Sequence, residues 1–381
     1  MSLLSPQIES NCHAYTLVKS QNGHREARSR YLRAIAAATM VLGMHSASLP
    51  PKQPPKAHRP HKIGLATLFS QALFPTHDLT PIRFVNRITG EIETEKVAGK
   101  KWLAWLYGNP VGEITLRALV KRKVVSSLYG QRMHSPSSAK KVATFVKDFD
   151  IDLSIARKQA FTSFNDFFTR ELTAEARPIN TNANVVVSPA DGKVLAWADI
   201  RAGDFPVKGS RFDIHTFLND AELSDRFADG SVVVARLAPS DYHRFHFPVG
   251  GSVSETTKIK GDYYSVNPIA LTKMSKIFCM NKREYTVIQN ERFGDVVMVE
   301  VGATMVGSII QTATGSSVEK GAEKGYFEFG GSTVVLLFEK DKIHIDTDLL
   351  DNTAKGLETS VDMGERIGIA PTDTTPLNCP L

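Results

Sequence analysis

The length, composition and charge of the chain set the first limits on its fold and function. It has 381 residues, of which 42% are hydrophobic and 23% charged, fractions close to the globular average that exclude a wholly disordered chain and a polytopic membrane protein. The net charge of +6 comes with an excess of Lys and Arg in the first half of the chain, which favours an anionic partner.

Residues 1–80 are predicted to be an N-terminal extension. The first fifty residues carry five basic side chains against two acidic ones, with several Ser and Ala, a composition typical of a transit peptide and equally of a disordered basic tail. Residues 49–62 contain five prolines and predict an extended linker. No apolar run reaches the roughly 18 residues that span a bilayer, so membrane contact is expected to be peripheral.

Residues 81–180 are predicted to be a mainly helical, membrane-associating region that begins with a charged, strand-like stretch from Ile82 to Lys96. Between residues 100 and 130, Trp and Tyr side chains precede an amphipathic helix with a cluster of Lys and Arg. Such a helix can lie among lipid headgroups, although an ordinary surface helix packed on the core fits the same pattern. The apolar spacing between Ser137 and Asn180 is also helical.

Residues 181–381 are predicted to be a β-rich core. Glycines alternate there with short β-branched runs, and 318–325 and 361–368 share a glycine spacing that indicates repeated tight turns. The predicted class is therefore α+β, with a helical N-terminal region followed by a mainly antiparallel, β-sandwich or barrel-like core. The runs are Val185 to Val187, Ser231 to Ala235, Val296 to Val301 and Thr333 to Phe338.

Three segments of this β-rich half place reactive side chains beside turn residues. Together they supply an aspartate, two histidines and a serine, the residue types of a nucleophilic triad. A histidine takes the proton of a serine best when a carboxylate fixes its tautomer. Residue types alone are weak evidence, because any chain of this size contains them. The segments are SPADGKV with Asp191, DYHRFHFPVGG with His243 and His246, and FGGSTVV with Ser332.

Longer motifs around these residues resemble the phosphatidylserine decarboxylase proenzyme family. The resemblance runs from about Val85 to the C-terminus. The usual Leu-Gly-Ser-Thr of the family has Gly330 in place of Leu here, a variant that the family also shows, so activity is still expected. The motifs are VNRITGEIE, WLYGNPVG, SFNDFFTREL, SPADG, YHRFHFPV, YSVNPIAL, NKRE, VGATMVGSI and KGAEKGYFEFGGSTVV.

The resemblance implies that the chain cuts itself between Gly331 and Ser332. Ser332 would attack the Gly331 carbonyl while His246, oriented by Asp191, takes its proton. Elimination and loss of ammonia would turn Ser332 into a covalent pyruvoyl cofactor. That group heads a short chain of residues 332–381, expected to stay associated with residues 1–331.

The resemblance also implies the reaction. Phosphatidylserine would form a Schiff base with the pyruvoyl group, lose CO2 and leave as phosphatidylethanolamine. His243 is expected to return the proton or position the carboxylate. Tyr264, Ser265 and Asn267 either line the substrate pocket or form a capped turn. The three cysteines are scattered, so no disulfide framework or metal site is predicted.

Other functions remain open at this point. A related pyruvoyl enzyme could decarboxylate a soluble aromatic amino acid such as tryptophan. A serine hydrolase would use the same triad, but this chain has no Gly-x-Ser-x-Gly elbow around Ser332. A lipid-binding or carrier protein would need no triad. The expected partners are phosphatidylserine in membranes and a second copy in a homodimer, with no nucleic acid. The expected location is peripheral on a membrane, the inner mitochondrial membrane in particular.

Overall fold

The structure is a computed structural model that describes residues 81–97, 130–200, 204–207, 210–262, 264, 277–303, 308–330 and 332–371. The chain divides into two units, Met1–Ile63 and Gly64–Leu381, and all described residues belong to the second. The predicted extension and the aromatic, basic segment between residues 100 and 129 therefore lie outside the described residues. Within the described part, no helix is long and apolar enough to cross a membrane.

Strands dominate the described part of the chain. Most are short, rich in β-branched residues and separated by turns, as the sequence predicts. In chain order they are β1 Arg83–Asn86, β2 Ile92–Thr94, β3 Val185–Val187, β4 Gly192–Trp197, β5 Asp204–Val207, β6 Ser210–Asp213, β7 Ser231–Leu237, β8 Arg244–His246, β9 Gly251–Val253, β10 Thr257–Ile259, β11 Arg283–Asn290, β12 Gly294–Gly302, β13 Ile309–Gln311, β14 Ser317–Val318, β15 Glu323–Phe327, β16 Ser332–Phe338, β17 His344–Ile345, β18 Glu358–Val361 and β19 Arg366–Ile369.

The core is an 11-stranded sheet with the order β14-β9-β11-β12-β16-β7-β4-β18-β1-β2, and β10 pairs with β11. Among the described strand pairs only β1 and β18 run parallel, so the predicted antiparallel character is confirmed. Strands β7 and β16 are buried at every position because both faces of the sheet are covered.

Both faces of β16 carry core side chains. Val335 and Leu337 join one hydrophobic cluster, whereas Val334 and Leu336 join the other. A smaller sheet, β13-β15-β8, covers the second face, and its Phe245 belongs to the same cluster as Val334. Two further sheets, β17-β19-β3 and β5-β6, complete the strand arrangement of the described residues.

Helices are few and short. Two of them near the N-terminal side contribute to a separate phenylalanine cluster around Phe164, Phe167 and Phe168. Ser163 caps the second by accepting a hydrogen bond from the Asp166 amide. The helices are α1 Val142–Phe149, α2 Phe164–Phe168, α3 Ile214–Leu218, α4 Ala221–Phe227, α5 Ile277–Met280 and α6 Thr347–Ala354, with 3-10 turns at Pro136–Lys141 and Ala174–Ala176.

Two expectations about the fold need correction. The main sheet has open edges at β14 and β2, so the described strands form no closed barrel. The described parts of this region, residues 81–97 and 130–180, are also less helical than predicted. Gly90, at φ 73°, turns the chain between β1 and β2, and this hairpin extends the main sheet. Helix α1 ends at Asp150, which has the left-handed φ of 53°.

Candidate functional site

Ser332 is the first residue of the central strand β16. It pairs with Gly302 of β12 on one side and with Leu237 of β7 on the other. Its side chain is fully buried, and Oγ has no hydrogen-bond partner among the described residues. Buried hydroxyls are normally satisfied, and the neighbouring Thr333 Oγ1 is also unpartnered within the described part of the chain, so two adjacent orphaned hydroxyls stand at the start of β16.

The segment before Ser332 is held by helix α2. The Phe329 amide donates a hydrogen bond of 2.9 Å to Asn165 Oδ1, and the Phe329 ring lies edge-on to Phe168 with centroids 5.0 Å apart. Gly330 has φ 147°, which disfavours any side chain. These contacts fix the approach to the predicted cleavage bond, although Gly331 itself lies outside the described residues.

His243 is buried with one ring nitrogen unsatisfied. Its Nδ1 lies 2.9 Å from the Asp241 carbonyl oxygen, which can only accept, so Nδ1 carries the proton. Nε2 therefore holds a lone pair, and it has no partner among the described residues. The Phe168 ring covers the imidazole at 3.8 Å between centroids. Burial lowers the pKa of His243 to about 3, so the ring is neutral at physiological pH.

His246 has both ring nitrogens engaged. Nδ1 lies 3.0 Å from the Gly321 carbonyl oxygen and carries the proton, so Nε2 accepts from the Tyr242 hydroxyl at 3.2 Å. The His246 amide donates to the Pro189 carbonyl at 2.7 Å, which places this histidine beside the turn that carries Asp191. Burial lowers the pKa of His246, and the hydrogen bond to Gly321 and then the charges of Glu323 and Asp191 only partly oppose this.

Asp191 is bound mainly by an arginine. Arg177 Nε and Nη2 donate hydrogen bonds of 2.8 and 2.6 Å to its two carboxylate oxygens, and the Met363 amide donates a third of 2.8 Å. No hydrogen bond joins Asp191 to His246 in the described part of the chain. The structure therefore brings the two residues near each other without the direct contact that the triad prediction assumed.

The carboxyl of Asp362 also lies close to Asp191. Burial, followed by the charge of Asp191, raises the pKa of Asp362 to about 6. Arg177 Nη2 lies 3.6 Å from the same carboxyl and partly compensates. Two acidic groups therefore share one guanidinium at this end of the sheet.

Of the predicted substrate residues, only Tyr264 is described; Ser265 and Asn267 lie outside the described residues. The Asn281 side chain accepts from the Tyr264 amide and donates to its carbonyl, both at 2.8 Å. The Tyr264 ring belongs to the hydrophobic cluster opposite the face of Val334. Asn281 therefore fixes the backbone at the start of the YSVNP segment.

The sequence analysis missed three residues of this site. Arg177 pairs with Asp191, Tyr242 bonds His246, and Arg170 reaches the segment that carries both histidines. Arg170 and Tyr242 stand inside quoted motifs, which was the available signal. No spacing connects Arg177 with Asp191, so that pair appears only in the folded chain. The described residues contain no cluster of His, Cys, Asp and Glu that could hold a metal ion.

Comparisons with known proteins agree on one family. Residues 164–369 match the family model described as phosphatidylserine decarboxylase. A phosphatidylserine decarboxylase proenzyme of Fusobacterium nucleatum is 53% identical over 291 residues, covering 75% of this chain and 97% of that protein. Proenzymes of the same name from Clostridium novyi and Clostridium botulinum are 49% and 48% identical, again over 75% of this chain and over 99% and 98% of theirs.

Proposed function

The chain belongs to the phosphatidylserine decarboxylase family, and we propose that it cuts itself and then converts phosphatidylserine into phosphatidylethanolamine and CO2. The observation that carries the self-processing step is the orphaned, buried Oγ of Ser332, at the start of a central strand. A hydroxyl without a partner is free to attack the preceding carbonyl.

The proposed cut is an acyl shift followed by an elimination. Ser332 Oγ forms a bond to the carbonyl carbon of Gly331, the peptide C–N bond breaks, and the hydroxyl proton ends on the freed amine. Loss of the Cα proton then expels residues 1–331 as a carboxylate. Hydrolysis of the unsaturated residue left at position 332 releases ammonia, so no oxidant is needed.

We assign the base of this cut to His246. Its Nδ1 proton is held by the Gly321 carbonyl, so the basic lone pair is on Nε2. The Tyr242 hydroxyl occupies that lone pair in the uncut chain and has to turn away before the proton moves. Asp191 supports the charged imidazole through space, since its carboxylate is already bound by Arg177.

The surroundings of Ser332 fit a pyruvoyl cofactor. Conversion of the serine removes the buried hydroxyl that has no partner. The pyruvoyl group would supply a ketone that condenses with the substrate amine and accepts the electron pair released with CO2. His243 keeps an unprotonated Nε2 in a dry environment, where it would hold or accept a proton close to the reacting amine.

Four finer points belong to the same proposal. Ser265 and Asn267 line the path of the headgroup, whereas the Tyr264 ring, predicted with them, is buried in the cluster on the opposite face of β16 from Ser332. The long and short chains stay together after the cut, and the enzyme forms a homodimer. It acts peripherally on a membrane, with the inner mitochondrial membrane as its location. The family supports the membrane substrate, while the other points rest on the sequence.

Intact-mass analysis combined with a CO2-release assay tests this function. Wild-type protein is expected to yield a short chain that begins at position 332 and lacks a free amine, whereas Ser332→Ala stays uncut. Carboxyl-labelled phosphatidylserine in mixed micelles is then compared with labelled tryptophan. An uncut wild-type chain would contradict the proposal, and CO2 from tryptophan alone would favour a soluble amino acid as substrate. Fluorophosphonate labelling of an uncut Ser332 would favour a hydrolase.

A further inference from the structure

Arg170 is a buried cation with most of its hydrogen-bonding capacity unused. Only 5% of the residue is exposed. Nη2 donates to the Ser240 carbonyl oxygen at 3.2 Å, and the guanidinium lies 5.0 Å from the Phe167 ring centroid. Nε and Nη1 are buried and have no partner among the described residues. Burial lowers the pKa of Arg170, but a guanidinium stays protonated at physiological pH.

The carboxylates nearest to this guanidinium are bound to other groups. Asp191 is gripped by Arg177 on both oxygens. Asp241 accepts from the Ala238 amide at 2.8 Å and faces the Lys193 ammonium at 3.6 Å. The buried Arg236 is different, because Glu95 and Glu358 bind it in pairs of hydrogen bonds. Arg170 therefore has no carboxylate of the described residues bonded directly to it, and the charges of Asp191 and Asp241 act on it only through space.

Arg170 also lies beside the segment that carries His243. The Phe168 ring covers His243, the Thr169 carbonyl accepts from Arg244 Nε at 3.0 Å, and Arg170 bonds Ser240. The three consecutive residues thus run beside the 240–244 segment that carries His243. The unpaired guanidinium therefore lies close enough to His243, whose Nε2 is also unpaired, for its charge to act on that histidine.

We propose that Arg170 binds the phosphate of the phosphatidylserine headgroup, an inference that rests on the proposed function. Nη2 uses one of its two N–H bonds on Ser240, so the other, with the unpaired Nε–H or Nη1–H parallel to it, forms an edge that matches a phosphate oxygen pair. The substrate carboxylate is the weaker candidate. Its charge disappears in the transition state, so pairing it with a cation would stabilise the ground state and slow the loss of CO2.

Steady-state kinetics of the self-cut enzyme test the assignment. Arg170→Gln is expected to raise KM for micellar phosphatidylserine about tenfold or more, as for a lost charge-assisted hydrogen bond, with kcat changed less than about threefold. The KM of Arg170→Lys is expected to lie between those of the wild type and Arg170→Gln. Arg226→Gln is the matched control, because Arg226 pairs with Asp295 and Glu339 and has no part in the site.

Two soluble probes separate phosphate from carboxylate. Glycerol 3-phosphate is expected to compete with substrate in the wild type and to lose about tenfold in potency in Arg170→Gln. 3-Hydroxypropanoate is expected to be unaffected by the substitution.

Several results would overturn the assignment. They are an unchanged KM in Arg170→Gln, a wild type that glycerol 3-phosphate does not inhibit, and a loss of potency confined to the carboxylate probe. If Arg170→Gln stays uncut, its KM cannot be measured, and Arg170→Lys is used in its place. An unchanged KM in Arg170→Lys would then overturn the assignment. A wild type that cuts itself but releases no CO2 from phosphatidylserine refutes the proposed function first, before any variant is compared.

Discussion

Replacing Ser332 with alanine is expected to stabilise the uncut chain while abolishing its processing. Ser332 Oγ is buried without a partner among the described residues. Leaving such a hydroxyl unsatisfied costs about 1–3 kcal/mol, and alanine removes it while keeping Cβ in the packed strand. We therefore expect a gain of about 1 kcal/mol in the free energy of unfolding, or about 1–2 °C in Tm for a unit of this size.

The measurement needs an uncut reference, because wild-type protein would be compared as two chains. His246→Ala provides it, and Ser332→Ala is added in that background. Thr333→Val is the matched control, since Thr333 is equally buried and its Oγ1 is also unpartnered in the described part of the chain. In the His246→Ala background, Thr333→Val is expected to raise the free energy of unfolding by a similar amount. In the otherwise wild-type chain, it is expected to leave self-cutting intact.

Thermal and urea unfolding report the stability, and intact mass reports the cut. A chain that is still cut at position 332 after Ser332→Ala would refute the role of the hydroxyl. A double variant less stable than His246→Ala alone would refute the reasoning from the unsatisfied atom. Self-cutting by His246→Ala would show instead that His246 is not the base.

Three further predictions concern neighbouring groups. His243→Ala is expected to be cut normally but to lose about 100-fold or more in CO2 release; an uncut product would transfer the base role from His246 to His243. Arg177→Met leaves the buried Asp191 without its cation and should cost about 3 kcal/mol in urea unfolding, so an unchanged midpoint would speak against a structural pair. The pKa of Asp362, raised to about 6, makes its contribution to stability fall as pH rises from about 4 to 6, because the folded state holds the proton longer. Asp362→Asn in the uncut Ser332→Ala chain should therefore raise Tm at pH 7 and flatten that slope, and a slope that persists would point to another group.

The central strands could be predicted from the sequence because their residues leave little choice. The runs Ser231 to Ala235 and Thr333 to Phe338 lie in β7 and β16, where β-branched and apolar side chains fill both faces. The sequence indicates the strand-like stretch from Ile82 to Lys96 but not its hairpin pairing, because both strands are short and β2 is exposed at every position. Its place depends on a parallel pairing with β18, a contact that local periodicity cannot report.

The site shows the same division. The motifs supplied Asp191, His243, His246 and Ser332, and the structure describes each of them at or near one end of a strand. The hydrogen bonds were not predictable, because several groups lie near each site residue and only the folded structure shows which of them is the partner. Asp191 is bound by Arg177 rather than by His246, and His246 Nε2 is hydrogen-bonded to the Tyr242 hydroxyl. The assignment of His246 and His243 to separate steps stays a prediction.

The position of Ser332 at the start of β16 has a consequence for how the protein comes apart. Strand β16 lies between β12 and β7 with a ladder of seven paired residues on each side. A break just before it severs the covalent link only after the sheet has formed. The fragments of an unfolded, cut molecule then diffuse apart, so refolding becomes a bimolecular search instead of an intramolecular one. The cut protein would thus no longer refold reversibly, and its lifetime would be governed by the rate of unfolding.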